Sequence, residues 1–398
     1  MNPYDVLVAG GGLTGAAMAA TLAARNPALR IGVIEARPFD PKAHGEAFDP
    51  RVIALTEASR QLLEALGVWD AILARRVCPY GHMVVRDSEG TGMVSFDCTQ
   101  VRRPDLGHIV ENSVLLGALL DSLANTGSVD LLCPATIAHI HTRGSGVEVG
   151  LSGGEALVTS LLIAADGARS TVRDRLDLPV RRWDYGHSAL VATIHTERSH
   201  HYTARQWFMA TGPLAFLPLQ TADGDCRYTS IVWSQERRRA EQLMALDDSA
   251  FCRELTFASE GELGAVLSVS RRYGFPLVQQ HALDYVAPGI ALIGDAAHSV
   301  HPLAGQGANL GFGDVAVLAE EIDRGLSRGL SPGDPSVLRR YQRRRKPENL
   351  AMMAAMEGFK RLFEVRSPGL RVLRNAGMSG LEALAPIKRR LVRRAMGF

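Results

Sequence analysis

Cysteine is scarce in this 398-residue chain: there are five, at Cys78, Cys98, Cys133, Cys226 and Cys252. They form no CxxC pair and no metal-ligand spacing, which excludes a disulfide framework or a structural zinc site and points to reduced thiols in a cytoplasmic compartment. Long apolar runs are missing too. None approaches the roughly 20 residues that span a bilayer, and no basic segment leads into an apolar signal core, so the chain reads as neither exported nor transmembrane. Aromatic residues make up only 6% and are not interleaved with the basic ones, and no zinc-finger or RNA-binding signature occurs. Nucleic acid is therefore not an expected partner. Internal repeats and low-complexity tracts are also lacking. What remains is an ordinary globular composition, 46% apolar, at a length that suits about two to three domains.

The net charge is only +2 but unevenly placed. From residue 339 to 398, sixteen Lys or Arg face four Glu, a balance of +12 that leaves −10 for the rest of the chain. Within this end, Leu381, Leu384, Ile387 and Leu391 recur at near-helical spacing beside Lys388, Arg389, Arg390, Arg393 and Arg394. A basic amphipathic helix of this kind suits an anionic membrane surface. A helix packed on its own protein, with a solvated basic face, fits the pattern equally.

Residues 4–9, YDVLVA, read as a strand and run into Gly10, Gly11, Gly12, Leu13, Thr14 and Gly15. A helical stretch follows, then a second strand over residues 30–34 that ends at Glu35. This is the dinucleotide-binding arrangement. Gly10 makes the tight turn, Gly12 lets backbone N–H groups approach a pyrophosphate, Gly15 permits close helix packing, and Glu35 accepts from a ribose hydroxyl. The charge of Glu35 would repel a 2′-phosphate, which favours FAD or NAD, and the fingerprint alone does not separate the two.

A later stretch does. Residues 290–293, IALI, read as a short buried strand leading into residues 294–314, GDAAHSVHPLAGQGANLGFGD. Asp295 sits at the carboxyl end of that strand, Pro302, Gly305 and Gly307 permit a close backbone approach, and Asn309 opens a helical pattern through Val315, Leu318 and Ile322. A helix amino terminus offers free N–H groups and partial positive charge, which suits a ring that becomes anionic on reduction, as a flavin does. Between the two motifs, another apolar run ends in Asp166-Gly167 and a polar turn that reaches Arg173.

Three motifs in this order, GGGLTG, ADGARSTVR and GDAAHSVHPLAGQGANLG, resemble the single-component flavoprotein aromatic hydroxylases of the p-hydroxybenzoate hydroxylase fold. The stretches FDPRVIAL (48–55) with LGVW (66–69), YQRRR (341–345) and APIKRRLVRRAMG (385–397) are similar to the ubiquinone-biosynthesis hydroxylases within that group. The resemblance implies FAD contacts from Gly10, Gly12, Leu13, Thr14, Gly15, Glu35, Arg51, Asp166, Asp295, Gly305, Gln306, Gly307 and Asn309. Arg51 would reach the cofactor from a mobile loop, Asp166 would lie near the diphosphate, and Asp295 would hold the ribityl chain. It further implies reduction by NADPH or NADH, reaction with O2 to a flavin C4a-hydroperoxide, and hydroxylation beside the phenol hydroxyl of a polyprenyl-phenol intermediate of ubiquinone biosynthesis. Pro302 would shape the oxygen pocket through its backbone; no side chain is assigned as the phenol base. Relatives of this pattern carry Arg where Ser113 follows Glu111-Asn112. A flavin halogenase of the same fold would show WxWxIP, and none of Trp69, Trp183, Trp207 or Trp233 starts one. Two other functions stay open at this level: hydroxylation of a small soluble phenol, and a flavin-binding assembly subunit of a quinone-biosynthesis complex that does not turn over.

The expected architecture is α/β, or α+β overall. A Rossmann-like FAD-binding domain would be assembled from residues 1–76, 97–183 and 277–335. An inserted antiparallel-sheet substrate domain would take residues 77–96 and 184–276, and a helical basic region residues 336–398. GPLAFLPL (212–219) resembles the family's pocket-lining strand, and Pro347 should kink or interrupt a helix. His298 and His301 are three apart but lack a Cys, Asp or Glu to complete a metal set, so they read as a polar turn and no metal is expected. His139 with His141, and His200 with His201, read as surface or sheet-face residues. Met352, Met356, Phe359 and Phe363 read as one packed helix face.

Overall fold

The computed structural model describes residues 4–300 apart from 42, 44 and 145, residues 305–364, and residues 367–397 apart from 385, 387, 391 and 393–395. The short, continuous apolar runs become parallel strands, because only a sheet covered on both faces buries every residue of such a run. Tyr4–Ala9 lies at the centre, between Ile31–Ile34 and Ala156–Ala164; Val129–Leu132 extends the sheet on one side and Ile290–Leu292 on the other, all four pairings parallel. Val286–Ala287 closes one edge antiparallel, and Gly146–Leu151 with Ile137–Arg143 adds a meander to the long strand Ala156–Ala164. Helices Leu13–Arg25, Asn112–Ala124 and Gly307–Leu326 pack around this sheet. The first of them is alanine-rich, with Ala16, Ala17 and Ala19 fully buried, so it can approach both of the others.

A second, nine-stranded sheet is built on the 17-residue strand Val180–Thr196, with Tyr273–Ala282 on one side and Tyr228–Glu236 on the other. Gly212–Leu219, Thr203–Met209, His82–Asp87 and Met93–Asp97 follow in that order. These pairings are antiparallel, as the alternating runs suggest, except that Thr203–Met209 and His82–Asp87 run parallel. Val77–Tyr80 leaves this sheet and pairs instead with Gly107–Glu111, whose other neighbour is Val52–Leu55. The chain changes sheets at Gly81, whose N–H donates to the Tyr202 carbonyl at 3.1 Å. One face of the large sheet packs Leu190, Trp207, Phe216 and Trp233 against helices Arg237–Ala245 and Asp248–Ala258.

Helix Pro335–Glu364 runs continuously through Pro347 rather than stopping there, and helix Pro368–Ala383 follows. Met352, Met356 and Phe363 join Val94, Phe208 and Met378 in one apolar cluster, with Phe363 stacked on Phe208 at 4.0 Å. Phe359, expected on the same packed face, is 56% exposed, because the stripe is covered only where Phe208 and Met378 reach it.

Candidate flavin site

Parallel pairing decides where the motifs meet. Ala9 is in register with both Ile34 and Ala164, and Ala164 with Leu292, so four strands end together. Gly10–Gly15, Glu35, Asp166 and Asp295 therefore share one edge, the carboxyl edge where open α/β sheets bind ligands. The ladder continues at the tips: Gly10 N–H donates to the Ile34 carbonyl at 2.8 Å, Ala165 N–H to Ala9 at 2.8 Å, and Ile293 N–H to Ala164 at 3.0 Å.

Two of the glycines are fixed by close contact and one by open space. Gly10 has φ +100, and a Cβ there would stand 2.6 Å from the Ala165 carbonyl oxygen; a Cβ on Gly15 would stand 1.9 Å from the Gly10 oxygen. Around the missing Cβ of Gly12 there is nothing within 4 Å. The backbone is thus tight behind the turn and open in front of it. Glu35 is turned towards this loop, accepting from Gly11 N–H at 2.7 Å and from Arg37 N–H at 2.9 Å. Thr14 joins the first motif to the last: Cβ atoms at Gly294 and Gly311 would lie 2.9 Å and 2.7 Å from its Oγ1. Gly311, not singled out by sequence, lets the starts of two helices come together.

Neither helix start has a side-chain cap; Gly12 precedes Leu13–Arg25 and Gln306 precedes Gly307–Leu326. Their free N–H groups and positive dipole ends suit an anionic group. Asp166 accepts from Val172 N–H through Oδ2 at 3.1 Å, while its buried Oδ1 has no partner among the described residues. Asp295 is exposed at this edge, with protein packed around its carboxyl. That crowding raises its carboxyl above the usual range, with the His298 ring pulling the other way. A flavin dinucleotide fits this set: an open glycine turn and an uncapped helix for a diphosphate, acceptors for hydroxyl groups, and a second uncapped helix for a ring that gains negative charge.

The turns are held from behind by residues with no assigned role in the sequence. Buried Arg173 donates from Nη2 to the Ala168 carbonyl at 2.9 Å and from Nη1 to Ala296 at 3.1 Å, tying the middle motif to the last, and Gln280 donates to Ala168 as well. Asp314, fully buried, takes four donors. Its Oδ2 accepts from Gly294 N–H at 2.9 Å and His298 Nε2 at 2.6 Å, and its Oδ1 from Arg345 Nε at 2.8 Å and Asn349 Nδ2 at 3.1 Å. Burial alone would raise its pKa, but His298 and Arg345 outweigh that and hold it at about 2. His298 is accordingly half of a buried acid–base pair rather than part of a polar turn, and His301 lies outside the described residues.

Arg51 is exposed and immediately precedes strand Val52–Leu55. Its loop is fastened by Asp49, which accepts from Arg51 N–H at 2.8 Å and Ser113 N–H at 3.0 Å, and by Glu111, which accepts from Asp49 N–H at 2.6 Å and pairs with Arg76 Nε at 3.0 Å. Ser113 thus contributes its backbone here. The Asn309 side chain faces the same strand, donating to the Ala54 carbonyl at 2.8 Å and accepting from Ser59 Oγ at 2.7 Å. Gly305 lies beside Ala54, where a Cβ would be 3.4 Å away. Pro302 lies outside the described residues.

The family described as "FAD binding domain" matches residues 3–356. The chain is 36% identical to 3-demethoxyubiquinol 3-hydroxylase of Escherichia coli, over 100% of this chain and 99% of that protein. It is 35% identical to ubiquinone hydroxylase UbiL of Rhodospirillum rubrum, over 99% and 89%, and 34% identical to human ubiquinone biosynthesis monooxygenase COQ6, over 98% and 92%. The chain belongs to the FAD-dependent ubiquinone-biosynthesis hydroxylases. Among solved structures, PqsL of Pseudomonas aeruginosa, described as a probable FAD-dependent monooxygenase, superposes with a TM-score of 0.78 at 26% identity, over 95% of this chain and 100% of that one. The p-nitrophenol 4-monooxygenase PnpA of Pseudomonas putida, at 17% identity and a TM-score of 0.78 over 98% and 97%, shares the fold.

In this hydroxylase several charges of the basic end are paired internally. Arg340 and Arg344 bind the buried Glu321 at 2.9 Å and 2.7 Å, Arg345 binds Asp314, and Arg374 binds Asp87. Lys388 is buried against Glu382 at 2.9 Å, and Val392 and Met396 pack on Cys98 and Leu106. The described part of the last segment therefore turns an apolar side onto its own protein, while Leu391, Arg393 and Arg394 lie outside the described residues. His200 is buried rather than on a surface, because its Nε2 meets the Leu219 carbonyl at 2.9 Å and its Nδ1 accepts from Tyr202 N–H at 3.0 Å. His139 and His141 stand exposed on their strand. Among the described residues, no group of three His, Cys, Asp or Glu could hold a metal.

Proposed function

We propose that this protein hydroxylates the aromatic ring of a polyprenyl-phenol intermediate of ubiquinone biosynthesis, with FAD as cofactor, O2 as co-substrate and NADPH or NADH as reductant. The observation that carries the reading is the shared carboxyl edge of the parallel strands, where Gly10–Gly15, Glu35, Asp166 and Asp295 meet, in a chain alike over its whole length to named ubiquinone hydroxylases. Bound there, FAD supplies the oxygen activation that no amino-acid side chain can provide. The protein's part is binding, orientation and exclusion of water. Gly10, Gly12, Leu13, Thr14 and Gly15 receive the diphosphate on backbone N–H groups, with Asp166 beside it. Glu35, whose oxygens can accept further bonds, takes a ribose hydroxyl. Asp295 holds the ribityl chain and Arg51 reaches in from its fastened loop. Gly305, Gln306, Gly307 and Asn309 present backbone at the ring, and the family resemblance assigns the shaping of the oxygen pocket to Pro302.

We assign residues 1–76, 97–183 and 277–335 to flavin binding, residues 77–96 and 184–276 to the substrate wall, and residues 336–398 to a helical basic region. Ala54, beside Gly305, clusters with Leu217, Leu219 and Tyr228 of the large sheet and with Phe48, an apolar lining that suits a phenol ring and keeps water out. Val300, at the entry to the last turn, joins the cluster of Phe208, Met352, Met356 and Phe363, a seam of the kind a polyprenyl tail requires. A cytoplasmic enzyme that meets its lipid-soluble substrate at the inner membrane surface, alone or within a quinone-biosynthesis complex, accounts for these features together. The test is deletion of the gene in its host, followed by mass spectrometry of quinone precursors. Accumulation of a polyprenyl-phenol lacking one ring hydroxyl is expected, and an unchanged quinone profile in a host without a second such hydroxylase refutes the assignment.

A further inference from the structure

Helix Pro368–Ala383 buries polar groups beside Met378 and leaves apolar residues outside. Its inward side carries the polar groups: Arg374 donates to Asp87 through Nε at 2.7 Å and Nη2 at 2.8 Å, Asn375 donates to the same carboxylate at 3.1 Å, and Glu382 accepts from Ser95 N–H at 2.9 Å. Its outward side carries Val372 and Leu373, 71% and 66% exposed, together with exposed Gly369, Ala376 and Gly377, and no charged side chain. A surface helix ordinarily turns its apolar stripe to the core. Here buried ion pairs, which form only at considerable desolvation cost, set the opposite orientation. Leu384, 50% exposed, continues the face beyond the helix, and Phe359 and Leu362, 56% and 44% exposed, stand on the preceding helix.

We infer that this outward face is the surface by which the protein sits on an anionic lipid bilayer, an inference that rests on the proposed use of a lipid-soluble substrate. Three features choose lipid over a second protein copy. The face of a 16-residue helix is about 24 Å long and covers roughly 250 Å², well under the about 800 Å² per partner of a stable protein interface. A bilayer needs no shape complementarity and accepts such a strip at its headgroup boundary. Arg389 and Arg390, shortly after the helix, are exposed and make no ion pair among the described residues, so they supply charge for anionic headgroups. No described helix is long and apolar enough to cross a membrane, and the contact is interfacial. The apolar seam from Val300 ends at Phe363, the neighbour of exposed Leu362, which places the lipid contact beside the outer end of the route assigned to the tail.

The experiment uses the full FAD-loaded chain in flotation with neutral phosphatidylcholine vesicles and with vesicles containing phosphatidylglycerol. The doubly substituted V372E/L373E chain is run alongside, with size-exclusion light scattering of both proteins. The wild type should float with the anionic vesicles, and V372E/L373E should partition at least tenfold less while retaining FAD and hydroxylating a short-chain, water-soluble prenyl-phenol at the wild-type rate. Equal flotation of the two proteins, or none by the wild type, overturns the inference. A wild-type dimer that V372E/L373E converts to monomer without change in flotation also overturns it, and assigns the face to a second copy. The underlying function is tested separately: wild type that turns over the soluble phenol but does not float loses only the lipid contact, and wild type that floats but never hydroxylates loses only the activity.

Discussion

Replacing Asp314 by Asn keeps the shape of the side chain, removes its charge and turns one acceptor into a donor. Four donors now converge on the carboxylate, two on each oxygen. An amide accepts at one oxygen only, so two of the four meet N–H groups. The Arg345 side chain, 7% exposed, also loses its buried counter-ion. Breaking a buried pair by removing one partner costs about 3–5 kcal/mol. Glu348 still reaches Arg345 from the solvent side, which sets the expectation near the lower end. With an unfolding entropy near 2.1 cal/mol/K per residue, a 398-residue chain changes by roughly 0.8 kcal/mol per degree, so about 3 kcal/mol lowers the midpoint by about 4 °C. Acid adds an independent signature. The folded pKa of about 2 lies below the unfolded value of 3.8, so this group contributes about 2 kcal/mol above pH ~4, lost as pH falls towards ~2. D314N should lack that loss. Calorimetry of FAD-free protein at pH 7 and urea unfolding between pH 5 and 2 measure both effects. Asp314 also fixes the two ends of the turn that bears Asp295, so D314N should hold FAD more weakly when titrated by fluorescence. A midpoint within 1 °C of wild type together with an unaltered acid slope would refute this account of the cluster.

His281 is buried and held neutral to a pKa of about 4 by burial first and then by the charges of Lys346 and His298. Because the unfolded value is 6.5, its contribution of about 3 kcal/mol is complete above pH ~6.5 and disappears as pH falls to ~4; H281Q should flatten stability across that window in urea titrations, and an unchanged slope would place the acid sensitivity elsewhere. A methyl at Gly311 would stand 2.7 Å from Thr14 Oγ1, so G311A should cost about 1–3 kcal/mol and weaken FAD binding. Adding T14A should restore both, and failure to restore them shows that a different contact demands the glycine. Removing Arg374 leaves Asp87 buried without its cation, so R374M should lose about 3–5 kcal/mol in urea unfolding while D87L/R374M loses much less. Equal losses in the two proteins would mean that packing, not the unpaired charge, sets the cost.

The shared edge of the proposed flavin motifs was legible in the sequence because parallel pairing leaves little choice. Runs such as VLVA and LLIA are apolar on both faces, so they pair as central strands, and every residue that follows one of them arrives at the same edge. Gly10 and Glu35 came from the glycine fingerprint and the roles of Asp166 and Asp295 from the family resemblance, and strand pairing brings all four to one edge, although they lie far apart along the chain. What holds them was not legible, since the partners of Arg173 and Gln280 are backbone carbonyls at Ala168 and Ala296, and a carbonyl leaves no trace in a sequence. The switch of Val77–Tyr80 to a third sheet was hidden for a similar reason. It lies at backbone hydrogen bonds such as that from Gly81 to Tyr202, 121 residues apart in the sequence.

The basic end of the chain shows what composition leaves out. A surplus of +12 over residues 339–398 reads as a surface awaiting an anion, yet Arg340, Arg344, Arg345 and Arg374 answer acids elsewhere in the chain. The acids carried a signal. Leu310, Asp314 and Leu318 follow one another at intervals of four, and Glu321 lies three further on, so two carboxylates stand in the apolar stripe of helix Gly307–Leu326. A charge in such a stripe is almost never buried unless paired. The pattern therefore demanded buried cations from another element, and the run Arg343, Arg344, Arg345 supplies two of them. Read in this way, the YQRRR motif is the wall that fixes the flavin turn from behind rather than a site of anion contact. Helix Pro368–Ala383 obeys the same rule with opposite appearance: its polar residues face inward because Asp87 and Ser95 are there to meet them, and only the placement of those partners reveals that its apolar side is the one left outside.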